Sequence, residues 1–118
     1  MRVILPVDEE KDVICVTFGR APYFAVHDTE TGTTEIKDNP ASQVQGGAGL
    51  KAAQFVLDCQ AEALITPRCG TNSAEVLQAA DVKIYKSEGM GVSQNIEAFK
   101  EGKLSVLTHF HGGYQGIR

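Results

Sequence analysis

Cys69 is the residue of this chain best suited to bind a metal. It follows a short apolar segment, Ala63 to Thr66, and precedes a predicted helix, with Arg68 beside it. A nearby helix N-terminus and an arginine both favour the thiolate form of cysteine, which is the form that binds metals. The sequence therefore predicts a thiolate ligand at Cys69.

Two histidines near the C-terminus could complete a metal site. His109 and His111 form a His-x-His pair, which can chelate a metal when both side chains point the same way along an extended strand. The alternative interpretation is a solvated tail without a ligand. Cys69, His109 and His111 are the predicted metal ligands.

A glycine-rich segment, Gly46-Gly47-Ala48-Gly49, precedes another predicted helix. Free backbone N–H groups and the positive end of the helix dipole can bind an anion at such a place. The segment lacks the Lys-Ser/Thr ending of a phosphate loop and the GxGxxG spacing of a dinucleotide fold, which argues against nucleotide binding. Alternatively, these glycines only permit a tight turn.

A second loop, Thr17 to Pro22, carries Arg20, which is able to pair bidentately with an anionic ligand. Alternatively, Phe18 fills part of the core and Arg20 is solvated. The remaining cysteines, Cys15 and Cys59, fall within apolar patterns and are predicted core residues.

The elements that position these residues follow from hydrophobic periodicity. Strands are predicted at Val3 to Val7, Val13 to Val16, Tyr23 to His27, Thr33 to Lys37, Ala63 to Thr66 and Val82 to Tyr85. Helices are predicted with Ala52, Phe55, Val56 and Cys59 on one face, after a capping box at Asn72 and Glu75, and from a Ser93 cap to Gly102. The chain is therefore predicted to be α/β, with an antiparallel N-terminal meander followed by βαβα units in one mixed sheet.

Composition limits the class of protein. With 118 residues, 42% hydrophobic content and a net charge of −4, the chain reads as one globular domain, residues 1–118, with no nucleic-acid partner. No apolar run approaches the roughly 20 residues of a membrane span, and no signal peptide is recognised. Three cysteines without a CxxC pair fit a reducing compartment, so we expect a cytoplasmic location.

Catalytic motifs are absent, and no enzyme activity is expected. Hydrolase or nuclease chemistry would need several carboxylates at one sheet edge, and Asp8 is the only strand-end carboxylate that the pattern places.

Four segments in register resemble the dinitrogenase iron-molybdenum cofactor biosynthesis family over nearly the whole chain. They are Phe18-Gly19-Arg20-Ala21-Pro22-Tyr23-Phe24, Gly46-Gly47-Ala48-Gly49 with Ala52-Ala53, Gly70-Thr71-Asn72-Ser73-Ala74, and Val82-Lys83-Ile84-Tyr85. The resemblance implies a three-layer ribonuclease H-like fold and a small protein that binds or carries iron-sulfur or iron-molybdenum cofactor precursors. It also implies cluster assembly or acceptor proteins as partners, and a link to nitrogen fixation.

The cofactor-binding residues predicted from these segments are Phe18, Gly19, Arg20, Gly46, Gly47, Gly49, Cys69, Gly70 and Asn72. One position departs from the family pattern. Many members have a histidine just before Phe-Gly-Arg, whereas this chain has Thr17, whose hydroxyl is a poor ligand for iron. A protein-binding or small-anion-binding module that has lost the cluster is the alternative function.

Overall fold

Five strands and three helices make up the part of the chain that the structure, a computed structural model, describes, which is residues 1–111. The strands are β1 (Arg2–Val7), β2 (Tyr23–Asp28), β3 (Thr33–Asp38), β4 (Ala63–Thr66) and β5 (Lys83–Lys86). The helices are α1 (Ala48–Asp58), α2 (Thr71–Ala79) and α3 (Val92–Lys100).

The strands form one mixed sheet in the order β3-β2-β1-β4-β5. β1, β2 and β3 pair antiparallel, which confirms the predicted meander. β4 pairs parallel to β1 on one side and to β5 on the other, which confirms the predicted βαβα half. The central position of β1 therefore joins the two halves of the sequence in one sheet.

Hydrophobic side chains cover both faces of this sheet. Ile4 of β1 packs with α1 and α2, whereas Val3, Leu5 and Val7 pack on the opposite face with Ile96 of α3. Alternate residues of a strand point to opposite faces, so a central strand with apolar residues at nearly every position can serve two cores. The result is a three-layer α/β fold with two helices on one face and one on the other.

Three local predictions were wrong. Residues 13–16 form isolated bridges to Gly91 and Val7 rather than a strand. α2 and α3 begin after Gly70 and Gly91, without a side-chain cap, so Asn72 and Ser93 are not N-caps.

The helices of residues 1–111 include none that is long and apolar enough to cross a membrane.

Candidate functional site

A pocket of about 830 Å³ opens where three loops meet beyond the carboxyl end of β4. Open α/β sheets commonly bind ligands at such an edge. The lining residues come from the loop before β2, the start of α1, the start of α2 and one residue near the C-terminus. They are Val16, Thr17, Phe18, Gly19, Arg20, Gln45, Gly46, Gly47, Ala48, Gly49, Leu50, Arg68, Gly70, Asn72, Ser73 and His111.

The N-terminus of α1 supplies backbone donors to this pocket. Gly47 precedes the helix with φ of 71°, a left-handed conformation that glycine adopts at little cost, and no side chain caps the helix. The first N–H groups of a helix have no intrahelical acceptor. Within residues 1–111, the N–H groups of Ala48, Gly49 and Leu50 also find no other protein acceptor. The start of α1 can therefore donate hydrogen bonds to a bound anion.

The two helices approach each other closely at the pocket because their first turns carry small residues. A Cβ added to Gly49 would lie 2.5 Å from Oγ of Ser73, which is buried in the first turn of α2. A Cβ added to Gly19 would lie 3.0 Å from Cα of Gly49. Glycine at both positions lets the loop before β2 and the two helix starts meet.

The C-terminal segment caps α2 from outside the helix. The N–H of Thr71 donates to the carbonyl of His111 at 2.6 Å, and the Thr71 hydroxyl donates to the same carbonyl at 2.9 Å. In return the N–H of His111 donates to the carbonyl of Cys69 at 3.2 Å. These bonds fix His111 beside Gly70 at the pocket wall, so His111 is not part of the solvated tail that was the alternative interpretation.

Arg20 and Arg68 give the pocket its positive charge. The Arg20 guanidinium donates to the carbonyls of Val44 at 2.6 Å and Gln45 at 3.2 Å, so it fixes the loop before α1. Its two-pronged bond is made to the protein rather than to a ligand. Arg68 is exposed and forms no ion pair within residues 1–111. No Asp or Glu of this described part of the chain lines the pocket.

Cys69 does not have the predicted chemistry. Its side chain is fully buried in the core beneath α1 and α2 and is not part of the pocket wall. Burial raises the pKa of the Cys69 thiol to about 12, because an apolar environment disfavours the thiolate. The predicted reactive thiolate at Cys69 was therefore wrong, since desolvation outweighs the nearby helix N-terminus and Arg68.

The predicted metal ligands are not brought together. His111 lines the pocket, but His109 is exposed and does not. Residues 1–111 contain no group of three or more His, Cys, Asp or Glu side chains able to hold a metal ion. Thr17, at the position of the family histidine, lies 3.5 Å through its hydroxyl from the thiol of half-buried Cys15.

Most of the predicted cofactor-binding residues do share the pocket. Phe18, Gly19, Arg20, Gly46, Gly47, Gly49, Gly70 and Asn72 all line it, and Cys69 alone of that set does not. Phe18 is also part of the core, where its ring packs against Phe24 at 5.6 Å between centroids. Arg68 and Ser73 also line the pocket, although they were left out of the predicted set. Both lie within or beside the Gly70 to Ala74 segment, which was the available signal.

The fold and the pocket define a small three-layer α/β domain with a pocket at one sheet edge, lined by two arginines and the N-termini of two helices. Comparison with known families gives a match to the dinitrogenase iron-molybdenum cofactor model over residues 1–102. The chain belongs to this family, as its sequence motifs indicated.

Solved structures support the same assignment. The chain is similar to the apo form of the orange protein from Desulfovibrio gigas, with 31% identity, a TM-score of 0.83, and coverage of 91% of this chain and 92% of that one. A Thermotoga protein proposed to be a NifB protein is 38% identical, with a TM-score of 0.77 and coverage of 92% and 95%. A Methanocaldococcus jannaschii protein proposed to be a dinitrogenase shares the fold at 23% identity, with a TM-score of 0.72 and coverage of 92% and 96%. None of the curated proteins matches the chain significantly.

Proposed function

We propose that this protein binds and carries an anionic metal cluster, of the iron-sulfur or iron-molybdenum precursor type, in the pocket between α1 and α2. The observation that carries the proposal is the convergence of two helix N-termini and two arginines on one pocket without a carboxylate in the described lining. Backbone N–H groups and arginines stabilise negative charge. Membership in the dinitrogenase iron-molybdenum cofactor family supports a metal cluster as the anion.

The donor set suits an intact cluster better than a bare metal ion. A bare iron or zinc ion needs several thiolate, imidazole or carboxylate ligands. The described lining offers one imidazole, His111, and no thiol or carboxylate. A preassembled cluster with its own sulfide or oxide ligands carries net negative charge, and it can be bound through hydrogen bonds and charge alone. In this proposal the cluster is cargo, and the protein acts as a carrier rather than an enzyme.

The test is anaerobic incubation of the protein with iron and sulfide, and separately with tetrathiomolybdate, followed by desalting, absorption spectra and metal analysis. We expect stoichiometric uptake from at least one of the two. Arg68→Gln removes a charged donor worth about 1.5–3 kcal/mol, so its affinity should fall about ten- to hundredfold. Lys83→Gln removes the same charge from the start of β5, away from the lining, and should bind as the wild type does.

Cys69→Ala separates this proposal from thiolate ligation. Because the Cys69 thiol is buried outside the pocket, the variant should retain uptake. Loss of uptake in this folded variant, or no uptake by the wild type, would contradict the proposal.

A second candidate is a small-anion-binding module, and the presence of Thr17 at the family histidine position favours it. The pocket donors do not by themselves distinguish a cluster from sulfate or phosphate. Saturable phosphate binding that Arg68→Gln weakens, combined with no metal uptake, would support this candidate over the carrier.

A further inference from the structure

β3 is an open edge of the sheet. It pairs with β2 on one side, and no other strand of residues 1–111 covers its second side. All six of its residues are exposed, including Ile36, whose side chain is 40% accessible. An edge strand presents unpaired N–H and C=O groups that can accept a further strand.

The hydrogen-bond pattern shows which groups face outward. The N–H of Asn39 donates to the carbonyl of Pro22 at 3.1 Å, one pair beyond Tyr23 and Asp38 in the ladder. In an antiparallel ladder, hydrogen-bonded pairs alternate with non-bonded ones. The backbone groups of Glu35 and Lys37 therefore bond β2. Those of Thr34, Ile36 and Asp38 point to the open edge.

The outward groups and the charges of β3 suit a second copy of the same strand in one register. When two β3 strands run antiparallel about a two-fold axis at Ile36, each Ile36 exchanges hydrogen bonds with its counterpart, and Thr34 pairs with Asp38. Glu35 of each copy then lies opposite Lys37 of the other, in a non-bonded pair whose side chains approach most closely. Centring the axis on Glu35 or Lys37 instead places identical charges opposite each other, which is unfavourable.

Within one chain these two charges already share a face of the sheet. Nζ of Lys37 lies 3.7 Å from Oε1 of Glu35. In the paired register, two copies would place four alternating charges on that face and two Ile36 side chains on the other. Because no β3 residue lines the pocket, the site of the proposed function is not part of this interface.

We propose that β3 is a homodimerisation edge, through which two copies of this chain form one continuous ten-stranded sheet about an axis at Ile36. The occupant of the edge is a second copy because the strand is self-complementary in charge and in backbone donors. A single strand pair buries little surface, so the dimer is expected to be weak and reversible.

Sedimentation velocity from about 10 µM to about 1 mM on the full chain tests the proposal. We expect a monomer–dimer equilibrium. Glu35→Lys converts both cross-strand ion pairs into lysine pairs and should weaken dimerisation about thirtyfold, which is about 2 kcal/mol. Lys37→Glu should weaken it similarly, whereas the double exchange Glu35→Lys/Lys37→Glu restores complementarity and should recover the dimer.

Two further variants address backbone pairing and net charge. Ile36→Pro removes an N–H that faces the open edge and none that bonds β2, so it should abolish the dimer while leaving the β2–β3 ladder intact. Glu75→Lys makes the same charge change as Glu35→Lys on the exposed side of α2 and should leave dimerisation unchanged. A monomer at every concentration would overturn the proposal. A dimer that tolerates both single charge reversals, or a double exchange that does not recover it, would also overturn it.

Discussion

Replacing Gly49 with alanine tests the close approach of α1 and α2 at the pocket. The added Cβ would lie 2.5 Å from Oγ of Ser73 and 3.9 Å from its Cβ, with no other heavy atom within 4 Å apart from its own chain neighbours and helix backbone. The whole steric conflict is therefore with one hydroxyl. Ser73 is only 4% exposed, so its hydroxyl must rotate, or the helices must separate, for the added methyl group to fit.

The expected cost follows from two opposing effects. Inserting a methyl group into a packed contact of this kind costs about 1–3 kcal/mol. Alanine is better than glycine in a helix by up to about 1 kcal/mol, and less at the first turn. We expect Gly49→Ala to lower the free energy of unfolding by about 1–2 kcal/mol.

Urea unfolding of a double-mutant cycle measures this effect. Ser73→Ala removes the clashing oxygen and leaves the 3.9 Å contact, so Gly49→Ala/Ser73→Ala should regain at least about 1 kcal/mol relative to the additive expectation. Gly46→Ala, whose added Cβ meets nothing within 4 Å, is the matched control and should change stability little. A Gly49→Ala variant as stable as the wild type, or additive single effects, would refute the reasoning.

Three further predictions concern buried polar groups. Burial raises the pKa of the Cys69 thiol to about 12, so the thiol keeps its proton in the fold. This group should lower stability as pH rises from 9.0 by at most about 1.4 kcal/mol per unit. In urea titrations Cys69→Ala should reduce the alkaline slope and leave the part due to Cys59, whose thiol pKa burial also raises; an unchanged slope would contradict the assignment. Burial, and secondarily Lys100, lowers the pKa of His27, so the fold favours the neutral imidazole and should lose stability as pH falls below 6.5. His27→Gln should reduce this loss of stability at acid pH in urea titrations, and an unchanged loss would exclude His27 as its source. Asn95 is fully buried and makes three hydrogen bonds to the loop before α3, so Asn95→Ala should cost about 2–4 kcal/mol in chemical denaturation, against less than about 0.5 for exposed Ser93→Ala.

Periodicity predicted the fold because burial in this protein follows simple alternation. Val3, Leu5 and Val7 share one face of β1, and Ala52 and Val56 share one face of α1, as their spacing indicates. These positions are fixed by local geometry and by the need to bury apolar area. The sequence alone therefore predicted the antiparallel and parallel halves of the sheet, whereas the strand order became known only from the structure.

The helix starts were harder to predict because their partners lie far away in the chain. Asn72 has the residue type of an N-cap, but the N–H of Thr71 is satisfied by the carbonyl of His111, forty residues later. Similarly, α3 begins after Gly91, whose neighbour Met90 accepts a hydrogen bond from Ile14. Cap preferences describe isolated helix ends, and tertiary contacts replaced them at both sites.

The family-like segments grouped residues of three loops as cofactor-binding residues, but the sequence did not give the orientation of Cys69. A residue between a strand and a helix can point into the pocket or into the core, and the local pattern does not distinguish the two. Here the thiol packs in the core with Leu64 and Leu77, while its neighbours Arg68 and Gly70 line the pocket. Because the Cys69 side chain points into the core, its pKa is raised, whereas the sequence had predicted a lowered pKa.

The two arginines of the pocket have different roles, which follow from their hydrogen bonds. Arg20 lines the pocket, but its guanidinium donates to the carbonyls of Val44 and Gln45. Its hydrogen bonds therefore stabilise the loop before α1. Arg68 has no such protein partner within residues 1–111 and can turn wholly to a ligand. Removing Arg20 should therefore loosen the loop even in the absence of ligand, whereas removing Arg68 should affect binding alone. The described lining of residues 1–111 contains no thiolate, so in the proposed carrier Arg68 and the start of α1 provide most of the affinity for the cluster. That affinity should weaken as salt screens the charge.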